Sequence, residues 1–489
     1  TQSRSSAASD VYKRQPIMYY RPEESAAADV IPFYKDGAFQ LFYLRDFRDA
    51  GRCGEGTPWY LLETRDFVTF AEKGEVISRG SREEQDLYIF TGSVFERDGS
   101  YYIFYTGHNP HFPKEGKKQE VIRMAVSSDF RTWKKDPAFR IDAPDCFEPH
   151  DFRDPFVFYN EETKKFNMLL AARVNYGPSR RRGCTAVAVS GDLITWEVQE
   201  EPFYSPREYF THECPDLFRM GEWWYLVFSE FTDKCETHYR MAKSLKGPWL
   251  TPEYDTFDNR NFYAAKTVSD GTDRYIIGWN PTTDQDKDFA DTQWGGNIVI
   301  HKIVQGEDGQ LFAAVPDKIK ESYCVPVRYR EGYTIGTVLK YQDSWRIGRP
   351  DGFSSLDLGD LENSCRLSFD VTFRKGIRNF YLFLNSDKDN EAAYYVGIDP
   401  VMNRMTFDRW PRKRSDYPFM LESERKTEVL PDVTYHMDVI KDGPVLEVYF
   451  GGKYAMSARM NEFREGTFGF AASYGEACIE NLEYRTLVK

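Results

Sequence analysis

Residues 93–107 read SVFERDGSYYIFYTG, two apolar and aromatic runs broken by an Asp-Gly pair. Asp-Gly between such runs is the residue pair that a two-residue hairpin turn requires, because both of its central positions need positive φ. The same strand, turn, strand layout recurs in VIPFYKDGAFQLFYL (30–44) and DPFVFYNEETKKFNMLLAA (154–172). It appears again in CPDLFRMGEWWYLVFSE (214–230) and KTVSDGTDRYIIGWN (266–280). Five copies with no sustained helical period between them predict an all-β domain, a five-bladed β-propeller with four strands in each blade.

A second element recurs with the first. Thr64-Arg65-Asp66-Phe67-Val68-Thr69-Phe70 matches Ser127-Ser128-Asp129-Phe130-Arg131-Thr132-Trp133, and both match Ser190-Gly191-Asp192-Leu193-Ile194-Thr195-Trp196. Asp66, Asp129 and Asp192 are each 63 residues from the last. These aspartates are expected to cap turns between outer strands, with the final Phe or Trp packing between blades.

Beyond residue 305 the pattern changes. Arg366 to Phe373 alternates polar and apolar side chains with the period of a half-buried strand. NFYLFL (379–384), AAYYVGI (392–398), YHMDVI (435–440), VLEVYF (445–450) and GTFGFAA (466–472) follow at close spacing, and Lys441-Asp442-Gly443 supplies a hairpin turn. These short strands predict a C-terminal β-sandwich. The expected division is a propeller over 16–305, a linker over 306–344 and a sandwich over 345–489 that braces the propeller. Residues 1–15 (TQSRSSAASDVYKRQ) are polar and aperiodic, and are read as disordered or foreign to the fold.

Composition narrows the function. A formal charge of −13 excludes the basic footprint that nucleic acid demands. No stretch approaches the roughly 20 apolar residues of a membrane helix. The tight basic run Arg180-Arg181-Arg182 reads as a solvated loop, with a rim contact for substrate or partner as the alternative. Eight singly scattered cysteines show neither a zinc pattern nor a disulfide framework, and a cytoplasmic protein with reduced thiols is expected. Seven histidines form no HExxH or close pair, so neither metal nor cofactor is expected.

Three acidic motifs sit at matching places in the repeats: Asp29 before Val30-Ile31-Pro32, Asp154 in Arg153-Asp154-Pro155, and Glu213 in Glu213-Cys214-Pro215. Repeats arranged around an axis would bring three such carboxylates together. Glycoside hydrolysis needs one carboxylate as the anion and one as the acid, and a third can hold sugar hydroxyls. Arg153 is expected to keep its neighbour Asp154 ionised, while Glu213, among Phe210, Thr211, His212 and Cys214, has the less charged setting of an acid.

From about residue 20 to its end the chain resembles glycoside hydrolase family 32, the invertase, inulinase and levanase family. Arg153-Asp154-Pro155 matches the family's RDP motif and Glu213-Cys214-Pro215 its EC motif. Phe90-Thr91-Gly92-Ser93 is similar to its FSGS element, Trp59 to the aromatic of its WGHA segment, and Phe262-Tyr263-Ala264 to its FYA segment. The resemblance implies Asp29 as nucleophile, Asp154 as transition-state stabiliser and Glu213 as acid/base. It also implies sugar contacts from Arg153, Trp59, Thr91, Ser93, Tyr263, Trp279 and Trp294. The chain departs from the family's WMNDPNG, having Ala27-Ala28-Asp29-Val30-Ile31, and carries Leu44 where a Gln is usual and His301-Lys302 where Pro-Arg is usual.

The reading is a retaining β-fructofuranosidase acting on an oligosaccharide. Its competitors are an inverting furanosidase or xylosidase of the family 43 kind, which the Asp29-to-Tyr34 run also resembles, a fructosyltransferase, and a catalytically silent carbohydrate-binding protein.

Overall fold

The computed structural model describes residues 18–389, 391–412 and 423–488. The expectation for residues 1–15 lies outside these. From Ala26 to Ala314 the chain lays down five successive antiparallel meanders. Their innermost strands are Ala26–Lys35, Tyr88–Arg97, Phe147–Asn160, Glu213–Met220 and Tyr263–Ser269. Each innermost strand packs against that of the next blade, and the fifth against the first, closing a ring. The seam is fastened by pairing of Ala27 with Gly296 and by the Ile298 amide on the Tyr20 carbonyl at 2.8 Å.

Local chemistry explains the blades. At Asp36-Gly37 and Asp98-Gly99 both residues have positive φ (52° and 75°, 52° and 76°), the hairpin geometry that this dipeptide accepts at little cost. Asp66, Asp129 and Asp192 each accept the amides two and three residues ahead, at 2.7–2.9 Å. The aromatics that follow pack between blades, Trp133 on Phe42 and Trp196 on Phe104, with ring centroids 6.0 and 5.7 Å apart.

Two expectations are corrected here. The fourth blade has three strands, Glu213–Met220, Trp223–Glu230 and Glu236–Ala242, and its outer edge is reduced to two isolated bridges, His238 with Thr256 and Met241 with Leu250. The segment 306–344 is no free linker. Leu311–Ala314 is the outer strand of the fifth blade, and Val325–Pro326, Thr334–Ile335 and Val338–Tyr341 all pair with sandwich strands.

The sandwich is continuous because its last strand is long. Over Thr467–Thr486 the first half pairs with Asn379–Ser386 and the second half with Ser364–Phe373. One strand thereby feeds both layers, and Phe369, Phe380, Phe450 and Phe470 fill the core between them. The Lys441-Asp442-Gly443 hairpin forms as expected, with Asp442 opposite Val445.

Candidate active site

Every innermost strand carries a bulge at the same height. The ladder slips by one residue after Ala28, Phe90, Arg153, Glu213 and Tyr263. The extra residues are Asp29, Thr91, Asp154, Cys214 and Ala264, and four of them hold positive φ: Asp29 (39°), Asp154 (58°), Cys214 (51°) and Ala264 (50°). A bulge re-aims the side chains at its crest, and five in register turn two tiers of side chains toward the axis. Asp29 and Asp154 occupy the bulge tier. Glu213 does not. It stands one residue earlier, level with Ala28, Arg153 and Tyr263, so the three acids are not in strictly equivalent positions.

The ring is bonded across blades. Asp29 accepts the Thr91 hydroxyl at 2.6 Å and the Trp279 indole N–H at 3.0 Å, one on each oxygen. Asp154 accepts the Cys214 amide at 2.9 Å, and its own amide donates to the Thr106 hydroxyl at 2.8 Å. Glu213 accepts the Tyr263 hydroxyl at 2.5 Å on one oxygen and Arg153 Nη2 at 3.0 Å on the other. Tyr263 and Trp279 lie edge to face, 5.5 Å between centroids, so the partners of Glu213 and Asp29 touch each other.

Burial dominates the charge states. It pushes Asp29 up to about 6 against the pull of Thr91 and Trp279, with Glu213 adding repulsion. It pushes Asp154 up to about 7 against the pull of Arg153, with Glu213 and Asp29 adding repulsion. Arg153 does pull Asp154 toward the anion, as expected, but burial outweighs it. Arg153 Nε stands 3.8 Å from Asp154, while its Nη atoms reach Glu120 (3.4 Å), Asp151 (2.8 Å) and Glu213. The guanidinium is spent mainly on other carboxylates, and Glu213, expected in the less charged setting, is the one it grips.

The expected sugar contacts divide. Tyr263 and Arg153 line the ring, whereas Thr91 and Trp279 orient Asp29. Trp294 lies exposed at the rim, 6.3 Å from Phe90. Two expectations fail. Trp59 presents no face to a ligand, because the third strand of its blade buries it completely against Phe42 and Tyr105. Ser93 spans two blades instead, its hydroxyl accepting the Val157 amide at 3.1 Å. Residues not anticipated are Glu120, Asp151 and Thr211 around Arg153, and buried Lys266, whose ammonium donates to the Pro215 carbonyl at 2.8 Å beneath the acids.

Two cavities lie along the join between propeller and sandwich. One of about 810 Å³ is lined by Asp255, Arg260, Arg404 and Arg425 among others, and one of about 540 Å³ by Cys235, Asp288, Phe289 and Arg459 among others. Neither is lined by Asp29, Asp154 or Glu213, and the bonded carboxylates decide the matter over volume. Among the described residues a single cluster has metal-like ligands, Asp258, His301 and Glu447, and it is wholly buried at the join. Its members bond within the join: His301 to Asp258 (2.9 Å) and Tyr449 (2.9 Å), and the Ser457 hydroxyl to Asp258 (2.6 Å) and Glu447 (3.0 Å), which leaves one Glu447 oxygen without a partner among the described residues.

A propeller whose axis gathers three bonded carboxylates has the groups that a glycosidase requires. The chain matches the N-terminal domain of the glycosyl hydrolases family 32 over residues 30–314 and the family's C-terminal domain over 340–484, and it belongs to that family. It is 22% identical to a sucrose-6-phosphate hydrolase of Vibrio alginolyticus over 452 residues, covering 87% of this chain and 82% of that one. It is 23% identical to a levanbiose-producing levanase of Bacillus subtilis (strain 168), covering 87% and 81%. Its fold is similar to that of fructan 1-exohydrolase IIa from Cichorium intybus, with a TM-score of 0.74, 16% identity and 96% of each chain covered. It is likewise similar to an exo-inulinase from Aspergillus awamori, with a TM-score of 0.71, 18% identity, and 96% and 98% covered.

Proposed function

We propose that the chain hydrolyses β-fructofuranosidic bonds in fructans or fructo-oligosaccharides with retention of configuration. The observation that carries the reading is the trio Asp29, Asp154 and Glu213, held on one ring with a separate set of partners for each. Both sequence relatives are hydrolases of fructosyl sugars by name, and two similar structures contain sucrose or 1-kestose.

In the first step Asp29 attacks the anomeric carbon, and the bond from that carbon to the leaving oxygen breaks as Glu213 gives the oxygen a proton. The Thr91 and Trp279 donors fix the attacking carboxylate, and burial keeps its negative charge poorly solvated and reactive. Burial makes Asp29 and Asp154 retain protons up to about 6 and about 7, so the pocket is one in which a carboxyl can hold a proton near neutral pH. Esterified Asp29 carries no charge. Glu213, now an anion supported by Arg153 and Tyr263, takes a proton from water, the water oxygen bonds to the anomeric carbon, and Asp29 leaves. Asp154 bonds sugar hydroxyls whose contacts tighten in the transition state.

A panel of sucrose, sucrose 6-phosphate, fructan oligosaccharides and arabinofuranosides tests this, with the first-formed anomer followed by NMR. Fructose released first as the β-anomer is the expected result. First release of the α-anomer would place the chain with inverting enzymes, and inertness toward every furanoside would favour a silent binding protein.

A further inference from the structure

Arg153 is one link in a longer chain of alternating charges. Its Nη1 meets Asp151 at 2.8 Å, and the other Asp151 oxygen meets Arg173 Nε at 3.4 Å. Arg173 binds both oxygens of Glu148, at 2.7 and 3.3 Å, and Glu148 in turn meets Arg182 at 2.6 Å. Five contacts thus join the surface loop of Arg180-Arg181-Arg182 to Glu213. The middle of the chain is fixed. Arg173 is 2% exposed, donates to the Phe210 carbonyl at 3.0 Å and the Ser179 hydroxyl at 2.9 Å, and lies 3.4 Å over the Phe210 ring. Phe210 is three residues before Glu213, so the same guanidinium that continues the chain also braces the segment delivering that acid.

We propose that Asp151, Arg173, Glu148 and Arg182 are positioning residues that set, through Arg153, how strongly Glu213 is held as an anion. The inference rests on Glu213 being the acid/base. Arg173 divides its donors between Glu148 and Asp151, and Arg153 divides its own among Asp151, Glu120 and Glu213, so a change at one link passes along with alternating sign. Loss of the Glu148 charge turns Arg173 toward Asp151. Asp151 then releases Arg153, and Arg153 holds Glu213 harder. Loss of the Arg182 charge does the reverse. Direct Coulomb effects have the same signs, because removing a negative charge favours the anion at Glu213 and removing a positive charge disfavours it. The other groups facing Glu213 and Arg153 are Tyr263, Asp29, Asp154, Cys214, Glu120 with its partner His108, and Cys235, and these stay unchanged in the variants.

The measurement is the pH profile of kcat/KM on sucrose and on an activated aryl fructoside, for Asp151→Asn, Glu148→Gln, Arg182→Gln and Arg182→Lys. On sucrose the alkaline limb, which reports loss of the acid's proton, should move to lower pH in Asp151→Asn and, by about 0.3 pH unit, in Glu148→Gln. It should move to higher pH in Arg182→Gln and return in Arg182→Lys. The aryl substrate, needing little protonation, should show none of these shifts. Damage to folding cannot produce shifts of opposite sign, and thermal melts of each variant check it separately. Shifts of one sign, or none, with intact melts would overturn the chain. Equal loss on both substrates in Glu213→Gln would instead remove the acid assignment on which it rests.

Discussion

The propeller uses aspartate in two places, and the two behave oppositely. On the outer turns Asp66, Asp129 and Asp192 face water and accept backbone N–H groups, and Asp129 is pulled down to about 2 by the amides of Thr132 and Arg131. On the axis Asp29 and Asp154 also accept N–H or O–H donors, yet burial pushes them up to about 6 and about 7. Hydrogen bonding alone does not set a carboxylate's role. Access to water decides whether the same donors yield a permanent anion suited to a turn or a group poised to titrate.

The sharpest break of this comparison is Asp29→Asn, which should lower turnover of every substrate by about 10⁴-fold or more, since no covalent intermediate can form. Next, Glu213→Gln should cost about 10²–10⁴-fold on sucrose and far less on an activated aryl fructoside. Third, Asp154→Asn should cost about 10²-fold without selecting between leaving groups. This variant should also gain stability. A carboxyl whose folded pKa is raised contributes stability that is lost as pH rises, here from about 4 through about 7. The melting temperature of Asp154→Asn should therefore match the parent near pH 4 and exceed it at pH 8. The smallest effect belongs to the outer ring. Asp129→Ala should leave kcat unchanged and lower the melting temperature slightly at pH 7. A depressed pKa gives stability that is lost on acidification, so the gap should narrow as pH falls from about 4 to about 2. An activity loss in Asp129→Ala, or a melting gap in Asp154→Asn that shrinks with rising pH, would undo the contrast.

The contrast also marks what was legible in the sequence. Asp-Gly turns, period-2 runs and the 63-residue spacing of the outer aspartates are local signals, and they announced propeller and sandwich correctly. The acids were legible as residue types. Their geometry was not, because a bulge counts two residues against one on a partner strand that the sequence does not reveal. Glu213 thus seemed equivalent to Asp29 when Cys214 is, and Arg153 was assigned to its neighbour in sequence when its better partner lies 60 residues on. Trp59 and Ser93 were matched by motif, and only the packing of adjacent blades shows that both face inward. The linker failed for a related reason: Leu311–Ala314 completes a blade begun before the expected boundary.

His301 stands in the fifth blade, yet one of its nitrogens is satisfied by Tyr449 of the sandwich, and Asp258 beside it takes both the amide and the hydroxyl of Ser457. Arg459 reaches the other way, into the propeller, where Asn280, Pro281 and Asn297 hold its buried guanidinium. Division of the chain at the join would expose an imidazole, an aspartate and a guanidinium, each shaped for a partner on the far side. The two modules are thus halves of one lock rather than beads on a string. Moving either half alone would leave those buried groups without the partners that satisfy them.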